Sequence, residues 1–240
     1  MKLLLDIGNT RLKWGLADGA RLTRSGATEH HGDPAAALTQ LGIDGPDAVW
    51  VAHVTGPDHE LALSTALQQR FGTAPRYART SAHWMGLHNA YTEPHRLGVD
   101  RWLAMAALWA ESPSAFCVVD AGTALTVDCV DGSGTHLGGV IAAGLETQQR
   151  AVLGRTRFPV RSWKNEYGQG LGRDTEACVR QGAMLACLGA IDRAARVAGV
   201  QARRVITGGD ASTLRSHLEG SWELRPDLVL EGLLHLAGTG

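Results

Sequence analysis

The most constraining feature of the sequence is an apolar run that ends in an aspartate and then turns through small polar residues. Residues 2–17 read KLLLDIGNTRLKWGLA, in which Asp6 closes the apolar run and Gly8-Asn9-Thr10 precedes an alternating segment. This pattern predicts a β-hairpin with a polar tip. Gly8 lets the backbone approach a ligand closely, and the successive N–H groups of such a turn form an anion-binding concavity. The tip is therefore predicted to hold phosphate.

Two charged side chains beside this tip suit a phosphate ligand. Asp6, at the end of a buried strand, could hold Mg²⁺ through water, because Mg²⁺ keeps several waters and takes only one or two carboxylates. Lys13 could meet the charge of the phosphate itself. An ordinary hairpin with a capping aspartate is the alternative that these residues alone leave open.

The same pattern returns in residues 115–130, AFCVVDAGTALTVDCV, where Asp120 ends a strand and Gly122-Thr123 forms the turn. The elements predicted for the two halves, each beginning with its hairpin, follow one order, βββαβαβα. A duplication is the simplest account, with an α/β fold of two lobes, residues 1–112 and 113–240. Two lobes that each carry a polar tip would place a nucleotide in the cleft between them, since ligand sites favour domain interfaces.

Composition and charge exclude several classes of function. The chain has 240 residues, of which 44% are hydrophobic, and its net charge is −1 with no run of lysine or arginine. Such a chain buries a real core but offers no electrostatic surface for nucleic acid or an anionic membrane. The four cysteines show no C-x-x-C spacing, which favours buried, reduced thiols. With no signal peptide or membrane span in the sequence, we expect a cytoplasmic protein.

Familiar catalytic and metal-binding motifs are absent from the sequence. There is no G-x-S-x-G elbow and no Walker A lysine pattern, which disfavours hydrolase and P-loop functions. The histidines form no H-x-x-x-H or His/Cys cluster of ligand spacing, which argues against a zinc centre. They are His30, His31, His53, His59, His83, His88, His95, His136, His217 and His235.

Between the two hairpins lies a segment that reads as a functional loop. Residues 80–99 lack periodicity, and loops of about 20 residues are uncommon inside compact domains and often functional. A helix is predicted next, over residues 100–111, with Asp100 and Arg101 in its first turn. An aspartate there is ordinarily an N-cap or a partner of the helix dipole. An arginine there is ordinarily a solvated surface charge.

Taken together, these motifs resemble the superfamily of acetate kinase, sugar kinases, heat-shock cognate proteins and actin, with its actin-like ATPase (ribonuclease H-like) fold. Within it the chain is similar to type III pantothenate kinases. Five motifs carry the resemblance in the family's order, across about residues 1–236. They are Asp6-Ile-Gly-Asn-Thr10, Asn89-Ala-Tyr-Thr-Glu-Pro94, Gly98-Val-Asp-Arg101, Asp120-Ala-Gly-Thr123 and Thr207-Gly-Gly209.

The resemblance implies a role for each matching residue. Asp100 would be the general base and Asp120 would hold a monovalent cation, K⁺ or NH₄⁺, while Asp6 would hold Mg²⁺ through water. The residues implied to contact ATP are Asp6, Ile7, Gly8, Asn9, Thr10, Arg11, Leu12, Lys13 and Thr123. Those implied to contact pantothenate are Tyr91, Gly98, Val99, Asp100 and Arg101, with Thr175 reaching it across a dimer interface. The family often has proline where Ala143 stands here, and we expect this difference to have no effect on function.

Simpler interpretations of two of these residues remain open. Thr175 could cap the long helix predicted over about residues 174–198, and Tyr91 could anchor its loop through a bonded hydroxyl. Arg101 is the natural partner of the pantothenate carboxylate, because its planar fork binds carboxylates at two points.

The long helix also bears on assembly, because apolar residues lie on more than one of its faces. A helix that is apolar beyond one stripe is buried on more than one side. The resemblance implies a homodimer with a shared substrate site, while the alternative is that one lobe covers both faces by itself.

The resemblance implies ATP-dependent phosphorylation of pantothenate to 4′-phosphopantothenate, the first step of coenzyme A biosynthesis. A nucleotide-binding regulatory protein of the same fold is one alternative, since members of the family have also been described as accessory factors in gene regulation. A kinase of another small alcohol is the other, and it would differ only in the loop at residues 80–99.

Overall fold

The computed structural model describes residues 1–157, 167–168, 170–198 and 202–238. The backbone divides into two compact units, of which the first comprises Met1–Pro113 with Asp227–Gly240 and the second comprises Ser114–Pro226. The sequence analysis placed residues 227–240 with the second lobe, whereas the structure packs this segment in the first unit. Among the described residues, no helix has both the length and the apolar character needed to cross a membrane.

The elements of the first half follow the predicted order, with a small hairpin and a 3₁₀ turn inside the predicted loop. They are β1 (Lys2–Ile7), β2 (Arg11–Asp18), β3 (Arg21–Glu29), α1 (Pro34–Thr39), β4 (Ala48–His53), α2 (Pro57–Phe71), β5 (Arg76–Tyr77), β6 (His83–Trp84), β7 (Leu87–His88), the 3₁₀ turn Pro94–Arg96 and α3 (Val99–Glu111).

The second half repeats this order, except that two helices follow its third strand. Its elements are β8 (Phe116–Ala121), β9 (Ala124–Val130), β10 (His136–Ala143), α4 (Leu145–Arg155), α5 (Thr175–Ala198), β11 (Arg203–Thr207), α6 (Ala211–Arg215), β12 (Glu223–Leu224) and α7 (Leu228–Gly238). The segment between α4 and α5, residues 156–174, lies partly outside the described residues.

Both units contain a five-stranded mixed sheet of the same topology. The strand order is β3-β2-β1-β4-β5 in the first unit and β10-β9-β8-β11-β12 in the second. In each sheet the first three strands are antiparallel and the remaining two run parallel to the first. The repeated topology confirms the predicted α/β fold of two similar halves.

The central strand of the first unit, β1, is largely apolar, as expected of a strand that is covered on both faces. Leu3, Leu5 and Ile7 join a core with side chains of α1, α2 and β4. On the neighbouring strand β2, Gly15 lies against α7, since a Cβ there would be 3.3 Å from a methyl group of Leu230. Asp6, near the carboxyl end of this central strand, is half-buried between the buried Leu5 and Ile7, so its side chain remains partly accessible.

The last helix belongs to the first unit because it crosses α3 at backbone contact. A Cβ added to Gly232 would lie 2.0 Å from the carbonyl oxygen of Leu103, a distance that no side chain tolerates. Only glycine therefore permits this approach. The sequence pattern showed an apolar helix here but held no information on which of two similar sheets it would cover.

Three of the four cysteines are buried thiols, as expected, and Cys178 is exposed. Burial raises the pKa of the Cys187 thiol to about 11. A hydrogen bond with Cys129, together with burial, raises the pKa of Cys117 far above its usual range. Because the thiolate is the reactive form, Cys117 and Cys187 are chemically inert at neutral pH.

Candidate active site

The first hairpin tip places two opposite charges on facing strands. Asp6 on β1 lies directly opposite Lys13 on β2, and both side chains are half-buried. Directly opposite residues project from the same face of a sheet, with Cβ atoms about 4.5–5.5 Å apart. The turn is closed by the N–H of Gly8, which donates to the carbonyl oxygen of Arg11 at 3.0 Å.

Other residues that the resemblance assigned to ATP divide into exposed and buried groups. Asn9, Thr10 and Arg11 are exposed at the tip, and Arg11 lies 3.9 Å from Glu29. Ile7 and Leu12 are fully buried, so only their backbone groups are available to a ligand.

A buried histidine that the sequence analysis did not select supports this tip. The N–H of Gly32 donates to Nδ1 of His30 at 3.2 Å, so Nε2 carries the ring proton and donates to the carbonyl oxygen of Gly8 at 2.9 Å. The backbone N–H of His30 also donates to the carbonyl oxygen of Thr10, at 3.2 Å. His30 therefore stabilises the tip through two hydrogen bonds to its backbone carbonyl groups. Its position after a strand gave no sequence signal, because the contact is with a backbone atom.

We expect the substitution His30→Ala to weaken ATP binding by roughly two- to tenfold, the factor that corresponds to one lost hydrogen bond of ~0.5–1.5 kcal/mol. Pantothenate binding should change less, because the ring N–H of His30 donates to the tip and not to the residues proposed to bind pantothenate. Titration calorimetry with each ligand separately measures both effects. His31→Asn is the matched control, since His31 is exposed and asparagine tolerates its φ of 47°. Equal weakening of both ligands would contradict a specific role at the tip.

The second hairpin tip is fixed by the start of the following helix. The carbonyl oxygen of Thr123 accepts hydrogen bonds from the N–H of Gly144 at 3.0 Å and from the hydroxyl of Thr147 at 2.7 Å. A Cβ on Gly144 would lie 2.0 Å from the carbonyl oxygen of Gly122. The side chain of Thr123 is left exposed at the tip.

Asp120 lies at the end of β8 among oxygen-bearing residues. Its neighbours on the adjacent strands are Thr126 and Thr207. A Cβ on Gly208, whose φ is +102°, would lie 2.5 Å from Oδ1 of Asp120, so only glycine allows the backbone to pass this close to the carboxylate. A carboxylate flanked by threonines offers oxygen atoms, the ligand type that hard cations take.

The predicted substrate residues of the first unit come together at the start of α3. Arg101 is only 6% exposed, and its guanidinium donates to the hydroxyl of Tyr91 at 3.1 Å. The guanidinium carbon also lies 5.9 Å from the centre of the Tyr91 ring. Arg101 is therefore a buried, oriented group and not the solvated surface charge that its position alone suggests. Tyr91 has the bonded hydroxyl that its alternative role as a loop anchor requires.

Asp100 does not occupy the N-cap position of α3. That position belongs to Gly98, which makes no side-chain cap hydrogen bond. Oδ1 of Asp100 accepts the backbone N–H of Arg101 at 2.8 Å, and a Cβ on Gly98 would lie 2.5 Å from this oxygen. The glycine thus makes room for the carboxylate. Val99, also assigned to the substrate, is 9% exposed.

Thr175 is the first residue of α5 and is exposed. The cap of this helix is Asp174, whose Oδ1 accepts the N–H of Ala177 at 2.7 Å. The simpler interpretation of Thr175 as a helix cap is therefore wrong. Within the described part of the chain, its hydroxyl makes no hydrogen bond.

Comparisons with known proteins agree with this geometry. Residues 2–197 match the model of the type III pantothenate kinase family. The type III pantothenate kinase of Halorhodospira halophila is 34% identical over 98% of this chain and 97% of its own length. That of Laribacter hongkongensis is 36% identical, with 99% of this chain and 98% of its own length covered.

Solved structures share the fold at low sequence identity. A conserved protein of Campylobacter jejuni, assigned to the Baf family of transcriptional activators, aligns with a TM-score of 0.65 at 18% identity over 99% of this chain and 100% of its own. The activator of 2-hydroxyisocaproyl-CoA dehydratase from Clostridium difficile, solved with bound ADPNP, aligns with a TM-score of 0.55 at 14% identity, covering 99% and 93%. These likenesses support the expected actin-like ATPase fold. From its matching model and its full-length relatives, the chain belongs to the type III pantothenate kinase family.

Proposed function

We propose that this chain transfers the γ-phosphoryl group of ATP to the primary hydroxyl of pantothenate, the first step towards coenzyme A. The observation that carries the proposal is the group at the start of α3, where a buried arginine held by Tyr91 adjoins the carboxylate of Asp100. Family membership supports the same reaction.

Arg101 is the partner we propose for the carboxylate of pantothenate. A guanidinium binds carboxylates through two parallel hydrogen bonds, and such bonds are stronger where water is excluded. The position of Arg101 in the first turn of α3 adds the positive end of the helix dipole, which also favours an anion. Tyr91 orients the guanidinium through its hydroxyl.

Asp100 is the group we propose as general base. Phosphoryl transfer requires mainly that the reactants be positioned and their charge neutralised, and an aspartate accepts the proton of the attacking hydroxyl. The N–H of Arg101 holds one carboxylate oxygen of Asp100. Proton acceptor and substrate anchor are therefore consecutive residues of one rigid helix.

The residues of the two hairpin tips are those we propose to bind the phosphates of ATP. In the first tip these are the backbone and polar groups from Asp6 to Lys13, and in the second the exposed Thr123. Asp6, a half-buried carboxylate at a strand end, fits Mg²⁺ held through water. Bound Mg²⁺ would neutralise phosphate charge, and the carboxylate of Asp120 would hold K⁺ or NH₄⁺.

We propose further that two copies of the chain share each substrate site. On α5 the residues Ala183, Met184, Cys187 and Ile191 are buried, whereas Leu185 on the same helix is 55% exposed. One lobe therefore covers only one apolar face of this helix. A second protomer would cover the other and would bring Thr175 to the pantothenate held by its partner.

An assay of ATP consumption by the purified protein, across a panel of small hydroxy-acids and amides, tests this function. We expect turnover with pantothenate that requires Mg²⁺. Turnover with a different alcohol would favour the alternative kinase. Binding of ATP without turnover of any acceptor would favour the regulatory alternative.

A further inference from the structure

The short hairpin β6–β7, within the loop at residues 80–99, brings two histidines side by side. Its loop is Met85-Gly86, and both residues have positive φ, 47° and 88°, as in a type I′ turn. In the register of the hairpin His83 lies directly opposite His88, and Trp84 lies opposite Leu87. The centres of the two imidazole rings are 6.3 Å apart, and the ring planes are inclined by 31°.

The hydrogen-bond pattern of the hairpin explains why the rings are close. Opposed pairs in an antiparallel ladder alternate between hydrogen-bonded and non-hydrogen-bonded, and side chains approach more closely in the second kind. Trp84 and Leu87, which flank the two-residue loop, form a hydrogen-bonded pair. Ala82 and Asn89 form the next hydrogen-bonded pair, in which the N–H of Asn89 donates to the carbonyl oxygen of Ala82 at 2.9 Å. His83 and His88 lie between these two pairs, so they form a non-hydrogen-bonded pair.

The hairpin is a fixed support for these rings. Nε1 of Trp109 donates to the carbonyl oxygen of Met85 at 2.9 Å, and Leu87 is fully buried. The side-chain amide of Asn89 donates to the carbonyl oxygens of Ser81 at 3.2 Å and Pro94 at 3.3 Å. Both ends of the hairpin are thereby tied to the rest of the unit.

The two imidazoles have no structural task of their own. Both histidines are exposed, and within the described residues neither ring makes a hydrogen bond or an ion pair. Buried or paired histidines elsewhere in the unit, such as His30 and His53, have hydrogen-bond partners that hold their rings.

We propose that His83 and His88 form a chelating site for a divalent transition-metal ion, such as Cu²⁺, Ni²⁺ or Zn²⁺. Imidazole is a preferred ligand of these ions, and holding two imidazoles side by side in advance reduces the entropy lost on binding. In the part of the chain that the structure describes, no group of three or more His, Cys, Asp or Glu residues could hold a metal. Water therefore completes the coordination, and affinity follows the order Zn²⁺ or Ni²⁺ below Cu²⁺. Mg²⁺, which takes oxygen ligands, is not bound here.

Titration of the untagged full-length protein with CuCl₂ and NiCl₂, followed by calorimetry, tests the site. We expect saturable binding in which His83→Asn and His88→Asn each lower the affinity at least about tenfold, since even changes outside the metal's own ligands cost ten- to a hundredfold. Trp84 lies in the same hairpin, so Cu²⁺ should quench tryptophan fluorescence in the wild type and much less in the double variant.

Two controls make the result specific. His59→Asn replaces an exposed histidine elsewhere in the first unit and should leave metal affinity unchanged, and MgCl₂ should give no signal at this site. The His83→Asn and His88→Asn variants should unfold at the wild-type temperature, because neither imidazole ring makes a hydrogen bond or an ion pair with the described residues. Unchanged affinity in the double variant, or an equal loss in His59→Asn, would overturn the proposal.

Discussion

The substitution Asp100→Asn should reduce turnover by about 10²- to 10⁴-fold, the usual contribution of general acid–base catalysis. Asparagine has nearly the shape of aspartate and keeps an oxygen that can accept the N–H of Arg101, but it cannot take a proton from the substrate hydroxyl. Steady-state rates at saturating ATP and pantothenate measure the loss. Calorimetry should show that the variant still binds ATP nearly as well as the wild type.

A matched control lies at the other end of the same helix. Glu111→Gln also removes one carboxylate from α3, at an exposed position, and should leave turnover within about twofold of the wild type. Near-normal turnover in the Asp100→Asn variant would refute the assignment of the base. A loss confined to pantothenate affinity would instead show that Asp100 binds the substrate without accepting its proton.

The parts of the fold that sequence reasoning predicted are those in which one local pattern dominates. A strong hydrophobic periodicity is present in the two hairpins, in the helix α3 and in the long helix α5. Short elements such as β5, Arg76–Tyr77, and α6, Ala211–Arg215, hold too few residues for a hydrophobic period to define their ends. In such elements a few tertiary contacts decide the bounds.

The hairpin β6–β7 shows why a loop can hide structure from the sequence. A type I′ turn ordinarily requires Asn-Gly or Asp-Gly, and methionine is a poor residue for positive φ. Here the burial of Leu87 and the hydrogen bond from Trp109 stabilise a turn that local preference disfavours. Because the turn was not recognised in the sequence, the histidine pair was not recognised either. A search for ligand spacing on helices does not detect two residues that face each other on the strands of a hairpin.

For the candidate site, the sequence predicted which residues take part better than it predicted their burial and their contacts. It selected Arg101, Tyr91 and Asp100, but it could not show that Arg101 is buried against Tyr91. It left open whether Thr175 caps its helix, because Asp174 and Thr175 are both good capping residues and only the register of the first turn separates them. The contribution of His30 depends on its hydrogen bond to a backbone carbonyl oxygen. Every residue has such a group, so the sequence does not show which one His30 contacts.

The shared substrate site that we propose predicts that two inactive variants should rescue each other. In Thr175→Ala the helix cap survives, because Asp174 supplies it, so a loss of activity would report on the substrate and not on folding. When equal amounts of Thr175→Ala and Asp100→Asn protomers are dissociated and recombined at random, half of the dimers are mixed. Each mixed dimer has one site with both native residues. About a quarter of all sites should therefore be active, by mass action among symmetric subunits.

The measurement is turnover before and after reversible dissociation, with the mass of the assembly followed in parallel. Thr175→Ser is the conservative control, since it keeps the hydroxyl and should keep most of the activity. Dilution of the wild type below its dimer dissociation constant should lower the specific activity, because each protomer would then lack the Thr175 of its partner. Full activity in a monomer, or no rescue on mixing, would show that one chain builds the pantothenate site alone, and the exposed Leu185 of α5 would then need another explanation.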